Sequence, residues 1–226
     1  MNRKLVFAIA FLTACPAAWA QESKAAARIL ADRPGLNVVF DDDGGKVEIF
    51  RHGETARTPE FHGGAVIREP LIQIIFLGDW QSPSLAKRKQ FLRAAIERVA
   101  PEPLTAKNED PIRPATLTGE RELPASGAIN DLHIQSAIDR AMTAGVLSLR
   151  DENVIHVVFL APGLEDKLGA AAAGRDFDSY HSHFHAQDVN VRYVVVPFHG
   201  EVSKMADAAA KSIVRSMINP DGDGWY

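Results

Sequence analysis

Three apolar runs of strand length are the strongest pattern in the chain. They are "LIQIIFLGDW" at residues 71–80, "VIHVVFLAP" at 154–162 and "VRYVVVPF" at 191–198. Nearly continuous Val, Ile, Leu and Phe over this length is typical of strands that are buried on both faces. We therefore predict that these three runs are neighbouring central strands of one sheet.

Helical periodicity recurs between and after these runs. Apolar residues return at helical spacing in "SLAKRKQFLRAAIERV", which Ser82 or Ser84 can cap, and in "INDLHIQSAIDRAMTAGVL", which Asn130 or Asp131 can cap. A last helix is predicted for "EVSKMADAAAKSIVRSMI", and "LNVVF" and "KVEIF" flank an acidic glycine turn that predicts a hairpin. Strands that alternate with helices favour an α/β (or α+β) single domain, in which a central mixed sheet of buried strands is flanked by helices.

Two segments lack such patterns. Residues 101–124 contain five prolines among charged and small residues, which predicts a long loop. Residues 178–188, "DSYHSHFHAQD", are polar, and a solvated loop is the first interpretation of them. Trp80 and His156 lie within or at the end of apolar runs, and for both we expect a place in the core.

The first twenty residues have the pattern of an export signal. A basic start and a ten-residue apolar run lead to Ala18-Trp19-Ala20, which predicts cleavage between Ala20 and Gln21. The alternative is a lipoprotein anchored through Cys15, the single cysteine of the chain. The predicted organisation is a signal peptide (1–20), a leader and hairpin (21–60) and one domain (61–226), secreted or periplasmic.

The charge balance limits the class of partner. The net charge is −4, and cleavage of the signal would remove Arg3 and Lys4 and no acidic residue. A mildly acidic protein is a poor partner for nucleic acid or an anionic membrane. The apolar run of the signal is too short to span a bilayer, so no transmembrane span is expected in the mature chain. The expected partner is an unidentified extracellular or periplasmic ligand.

Three histidines stand at alternate positions of the polar segment. On an extended backbone His181, His183 and His185 would share one face, and three imidazoles with a water are a workable zinc site. On a helix only His181 and His185 would align. These three residues are the candidate metal ligands, with zinc as the candidate metal.

A family resemblance rests on two blocks of the sequence. The block "HGGAVIREPLIQIIFLGDW" at residues 62–80 and the ending "NPDGDGWY" at 219–226 resemble the phosphate-induced, Exordium-like proteins of plants and bacteria. The resemblance covers residues from about 61 to 226. It implies an exported protein of no settled biochemical activity, and a zincin-like arrangement is one form that its fold could take.

The resemblance also implies a lost motif on the last helix. Many members of that family carry His-Glu-x-x-Glu just before the terminal Asn-Pro or Asp-Pro, a spacing that suits zinc with a glutamate base. Here Lys211, Ser212 and Arg215 occupy those positions. Two cations in place of ligands favour a non-catalytic binding protein without a cofactor. The alternative is a zinc-dependent hydrolase that uses the histidines of residues 181–185.

Overall fold

The computed structural model describes residues 38–40, 46–50, 64–99, 111–147, 151–169, 171–186 and 188–222. The predicted signal peptide, including Cys15, Ala20 and Gln21, therefore lies outside the described residues. Three helices are described, α1 (Pro83–Ile96), α2 (Asp131–Thr143) and α3 (Val202–Ile218). The strands are β1 (Val38–Phe40), β2 (Lys46–Phe50), β3 (Leu71–Leu77), β4 (Thr116–Leu123), β5 (Ala128–Asn130), β6 (Val154–Leu160), β7 (Glu165–Leu168), β8 (Ala171–Ala172), β9 (Ser179–Ala186) and β10 (Val189–Val196).

The main sheet has seven strands in the order β1-β2-β9-β10-β6-β3-β4. The four strands from β10 to β4 are parallel to one another, whereas β9, β2 and β1 pair antiparallel. The three apolar runs form the adjacent strands β10, β6 and β3, which confirms the predicted centre of the sheet. The predicted hairpin is confirmed as β1 and β2, and it joins the edge of the same sheet.

Helices cover both faces of this sheet. Helices α1 and α3 pack together on one face, where Leu92 and Ile96 meet Met205 and Ile213 in one apolar cluster. Helix α2 covers the other face and buries Ile134, Ile138 and Met142 against the same central strands. The result is an α/β single domain, as the sequence predicts. A second, three-stranded sheet of order β5-β7-β8 lies beside α2.

The helix ends follow the predicted caps. Ser82 precedes α1, and its side chain accepts a hydrogen bond from the backbone N–H of Leu85. Asn130 caps α2 by accepting from the backbone N–H of His133, whose ring accepts in return from the Asn130 N–H. Phe91 of α1 is 49% exposed, because it lies about 100° around the helix from the buried Leu92.

Two segments that were predicted as loops contain strands. Residues 116–123 form the parallel edge strand β4, so the loop prediction for 101–124 is wrong over this part. Residues 179–186 form β9, which pairs with both β10 and β2. In both cases hydrogen bonding to an already buried neighbouring strand outweighs the polar composition of the segment.

Candidate functional site

The site where open parallel sheets usually bind ligands is filled by side chains in this protein. Such sites lie outside the carboxyl ends of two strands whose connections run in opposite directions, which here are β3 and β6. The loops that follow these strands touch each other. A side chain on Gly78 would place its Cβ 2.8 Å from the Cβ of Ala161 and 2.9 Å from Cδ1 of Leu164. Trp80 is fully buried beside them, which confirms its predicted place in the core.

Beneath α2 lies a group of buried polar side chains, which we name the acid–tyrosine cluster. Asp131 begins α2, and Asp166 lies on β7, where it is paired in register with Ile129 of the neighbouring parallel strand β5. Each of these aspartates is only 2% exposed. The cluster has five members, Asp131, Gln135, Asp166, Tyr180 and Tyr193.

Three hydrogen bonds converge on the carboxylate of Asp131. The hydroxyl of Tyr180 donates to Oδ1 at 2.9 Å, and the hydroxyl of Tyr193 donates to Oδ2 at 2.7 Å. Nε2 of Gln135 donates to the same Oδ2 at 2.7 Å and lies 3.1 Å from the Tyr193 hydroxyl, which accepts from it. Burial, and next the charge of Asp131, raise the pKa of both tyrosine hydroxyls well above the ordinary value. Both tyrosines are therefore neutral donors at physiological pH.

Asp166 has the opposite environment. Neither of its carboxyl oxygens receives a hydrogen bond of normal geometry from the described residues. Burial, and next the negative charge of Asp131, raise the pKa of Asp166 to about 8, although the nearby N–H of Lys167 offsets part of this effect. Both effects favour the neutral, protonated form of Asp166 at neutral pH.

Polar residues continue from this cluster across the sheet. Gln73 on β3 is paired in register with His156 on β6, and His156 is paired with Tyr193 on β10. Gln73 is 3% exposed and His156 is 2% exposed, which confirms the predicted core position of the histidine. Burial lowers the pKa of His156 to about 4. His156 is therefore neutral at physiological pH and adds no positive charge beside the aspartates.

A groove opens between α2 and the end of β9. It is a shallow, open depression with a volume of about 550 Å³. It is lined by Gln135, Ser136, Asp139, Thr143, Phe184, His185 and Ala186. Gln135 belongs both to this lining and to the acid–tyrosine cluster, so the wall of the groove is hydrogen-bonded directly to the buried carboxylate of Asp131. We refer to this opening as the α2–β9 groove.

The three predicted metal ligands have different surroundings on β9. His181 is 3% exposed, and its Nε2 lies 3.2 Å from the carbonyl oxygen of Asn219 after α3. His183 is exposed, whereas His185 lines the α2–β9 groove with Nδ1 3.2 Å from Oδ1 of Asn190. No group of three or more His, Cys, Asp or Glu side chains within the described part of the chain is arranged to hold a metal ion.

The residues at the three motif positions implied by the Exordium-like resemblance differ in burial. Lys211 is exposed and Arg215 is half-buried, while Ser212 is fully buried and its hydroxyl donates to Oγ of Ser179 at 2.8 Å. The serine at the glutamate position is thus hydrogen-bonded to β9.

Sequence reasoning missed the acid–tyrosine cluster. The sequence pattern predicts Asp131 only as a possible N-cap of α2, a role that Asn130 fills. The sequence does indicate that Asp166 is buried. It lies two residues after Leu164 and two residues before Leu168, so it shares the inward-facing side of β7 with these leucines. An aspartate in the buried phase of a strand indicates either a partner or a raised pKa.

Comparison of the chain with protein-family models, with curated proteins and with solved structures gave no match. The Exordium-like resemblance and the zincin-like arrangement therefore stay predictions from the sequence motifs. Among the described helices none has the length and apolar character needed to cross a membrane.

Proposed function

We propose that this chain is an exported, non-catalytic binding protein whose ligand occupies the α2–β9 groove. One observation carries the proposal: the groove is lined by polar side chains from α2 and β9, and one of these side chains, Gln135, is held in place by buried hydrogen bonds. Gln135 is held by Asp131 and Tyr193, at 2.7 Å and 3.1 Å, and faces the groove with its neighbours on α2. Polar groups that are held in place before binding lose little conformational entropy when a ligand arrives.

The position of the buried aspartates favours binding over catalysis. A general acid or base must come within hydrogen-bond distance of the group that reacts. Asp131 and Asp166 are both 2% exposed, so a ligand in the groove meets Gln135 and Asp139 and not the two buried carboxyl groups. In this proposal the acid–tyrosine cluster holds the groove wall and takes no part in a reaction.

The zinc-hydrolase alternative has weaker support. Three imidazoles could act together only if His181 left its buried contact with the Asn219 carbonyl. At the position of the family's first glutamate, Ser212 is hydrogen-bonded to Ser179 and offers no carboxylate. Metal analysis of the purified protein tests this alternative directly. Stoichiometric zinc that is lost on changing His181, His183 and His185 together to alanine would favour the hydrolase.

Export is proposed from the sequence. The signal pattern before Gln21, the mildly acidic charge and the Exordium-like blocks all favour a periplasmic or secreted protein with an extracellular or periplasmic ligand. N-terminal sequencing of the protein recovered outside the cytoplasm tests the cleavage site. A first residue of Gln21 is expected, whereas an acylated Cys15 would make the protein a lipoprotein.

The binding site is tested with a matched pair of aspartate variants. Asp139 lies on the groove side of α2, whereas Asp207 is an exposed residue of α3 on the other face of the sheet. A library of small polar molecules is screened by ligand-observed NMR against the purified chain and the variants Asp139→Asn and Asp207→Asn. Ligands that bind the wild type should bind more weakly to Asp139→Asn and equally well to Asp207→Asn. Equal binding to all three proteins would contradict the groove as the site.

A further inference from the structure

The lining of the α2–β9 groove also indicates which class of ligand it takes. Along α2 the residues Gln135, Asp139 and Thr143 follow one another at spacings of four, so they form a polar row on one side of the helix. Ser136 adds a second hydroxyl beside this row. Phe184 of β9 faces it from across the groove, and the adjacent residues His185 and Ala186 complete the lining.

The charges of the lining disfavour anions. Asp139 is the formally charged side chain of the described lining, and this lining contains no lysine or arginine. Sites for phosphate or carboxylate groups are built from arginine, lysine or helix N-termini. A ligand in this groove is therefore neutral or positively charged.

The hydrogen-bonding groups match a ligand that both donates and accepts at many positions. A hydroxyl such as that of Ser136 both donates and accepts, and a carboxylate such as Asp139 can accept from two neighbouring hydroxyls at once. Gln135 donates its N–H groups to Asp131 and Tyr193, so toward the groove it offers its carbonyl oxygen as an acceptor. A sugar hydroxyl likewise both donates and accepts. An amide and a carboxylate on one helix face can therefore be paired by the hydroxyls of one sugar ring.

The groove also has a fixed apolar surface. The ring of Phe184 packs edge-on against Tyr193, with ring centroids 5.8 Å apart and an angle of 64° between the rings. Phe184 is only half-buried, so part of the ring remains open to the groove. The C–H face of a pyranose ring is apolar and can pack on such a surface, since aromatic side chains contribute a large apolar contact area.

We infer that the α2–β9 groove binds a neutral saccharide, with sugar hydroxyls on Asp139 and Gln135 and a ring face on Phe184. This inference rests on the groove being the ligand site proposed above. A small organic cation is the competing class, because one carboxylate and one aromatic ring could also hold it. The hydroxyl of Ser136 and the carbonyl oxygen of Gln135 favour the saccharide, since a quaternary ammonium group offers them no hydrogen bond.

The test is saturation-transfer NMR on the purified chain with two sets of probes. The first set contains glucose, galactose, mannose, N-acetylglucosamine, cellobiose, maltose and chitobiose; the second contains choline, glycine betaine and acetate. At least one saccharide should receive saturation, most strongly on its ring C–H protons. The methyl protons of acetate should receive none, because the described lining contains no lysine or arginine.

Three variants connect a positive result to the groove. Asp139→Asn should weaken saccharide binding about tenfold, because it replaces hydrogen bonds to a charged carboxylate by weaker ones to a neutral amide. Phe184→Leu should weaken the ring contact while keeping an apolar residue against Tyr193. Asp207→Asn on α3 should leave affinity unchanged.

Each outcome separates this inference from the proposed function. Binding of choline but no saccharide, when it is lost in Asp139→Asn, overturns the saccharide and leaves the groove as the ligand site. Saccharide binding that Asp139→Asn and Phe184→Leu leave unchanged overturns both statements. Absence of binding by every saccharide overturns the inference.

Discussion

The hydroxyl of Tyr193 donates a 2.7 Å hydrogen bond to Asp131, joining the central strand β10 to the first turn of α2 across 62 residues of chain. Both side chains are buried, at 0% and 2% exposure. Gln135 bonds to both partners and reaches the groove. The wall of the proposed binding site is therefore held by a hydrogen bond between sheet and helix.

Replacing Tyr193 by phenylalanine should destabilise the protein. The change removes the Tyr193 donor from a buried carboxylate, and a hydrogen bond to a charged group contributes about 1.5–3 kcal/mol. Urea unfolding of Tyr193→Phe, Asp131→Asn and the double variant measures the coupling. Additive losses in the double variant would contradict a direct energetic link between the two residues.

Asp166→Asn should change how stability depends on pH. The pKa of Asp166 is raised to about 8 in the folded protein from 3.8. Its contribution to stability is therefore complete below about pH 4 and is lost progressively as the pH rises toward 8, by up to roughly 5 kcal/mol. The asparagine variant should thus gain stability relative to wild type between pH 5 and pH 8, as measured by urea unfolding at several pH values. A constant difference over this range would show that Asp166 ionises normally.

His156→Leu should change the stability of the protein at acid pH. The pKa of His156 is lowered from 6.5 to about 4 in the folded protein. Its contribution is present above pH 6.5 and is lost as the pH falls toward 4, by up to roughly 3 kcal/mol. Leucine cannot be protonated, so the variant should resist acid better than wild type. The check is the midpoint of acid unfolding, which must fall to lower pH in the variant.

The segment after α3 should depend on one buried ion pair. The guanidinium of Arg192, on a residue only 4% exposed, donates from Nε and from a terminal nitrogen to the two carboxylate oxygens of Asp221, at 2.9 Å and 3.0 Å. Asp221→Ala leaves this cation buried without its acid and should lower the free energy of unfolding by about 3 kcal/mol. Arg113→Ala, which breaks the exposed pair with Glu69, should cost less than about 1 kcal/mol. Similar losses in the two variants would contradict the assigned role of Arg192.

The centre of the fold could be predicted from the sequence because its signal is local. Strands β3, β6 and β10 are runs of Val, Ile, Leu and Phe, and the buried apolar residues of the helices recur at helical spacing. Strand β4 could not be predicted in this way. The sequence of β4, "TLTGEREL", contains a glycine and three charged residues. All of its residues are exposed or half-buried, because β4 forms the edge of the sheet beside β3.

The candidate site depended on contacts that are distant along the chain. Asp131 and Asp166 come together because β5 and β7 pair in parallel, which neither segment predicts alone. The histidines stand out in the sequence because they occupy alternate positions. Their surroundings differ, however, since the end of α3 covers His181 and leaves His183 exposed. A pattern along one strand could not reveal which of its positions another element would cover.

The most direct test of the proposed function is to map a bound ligand onto the protein. Backbone amide chemical shifts of the ¹⁵N-labelled chain are followed while the best-binding probe from the saccharide or organic-cation set is added to saturation. The largest changes should fall on residues 135–143 of α2 and 184–186 of β9, with little change at Asp207. Changes centred on residues 78–82, or on His181 and Asn219, would contradict the groove as the binding site.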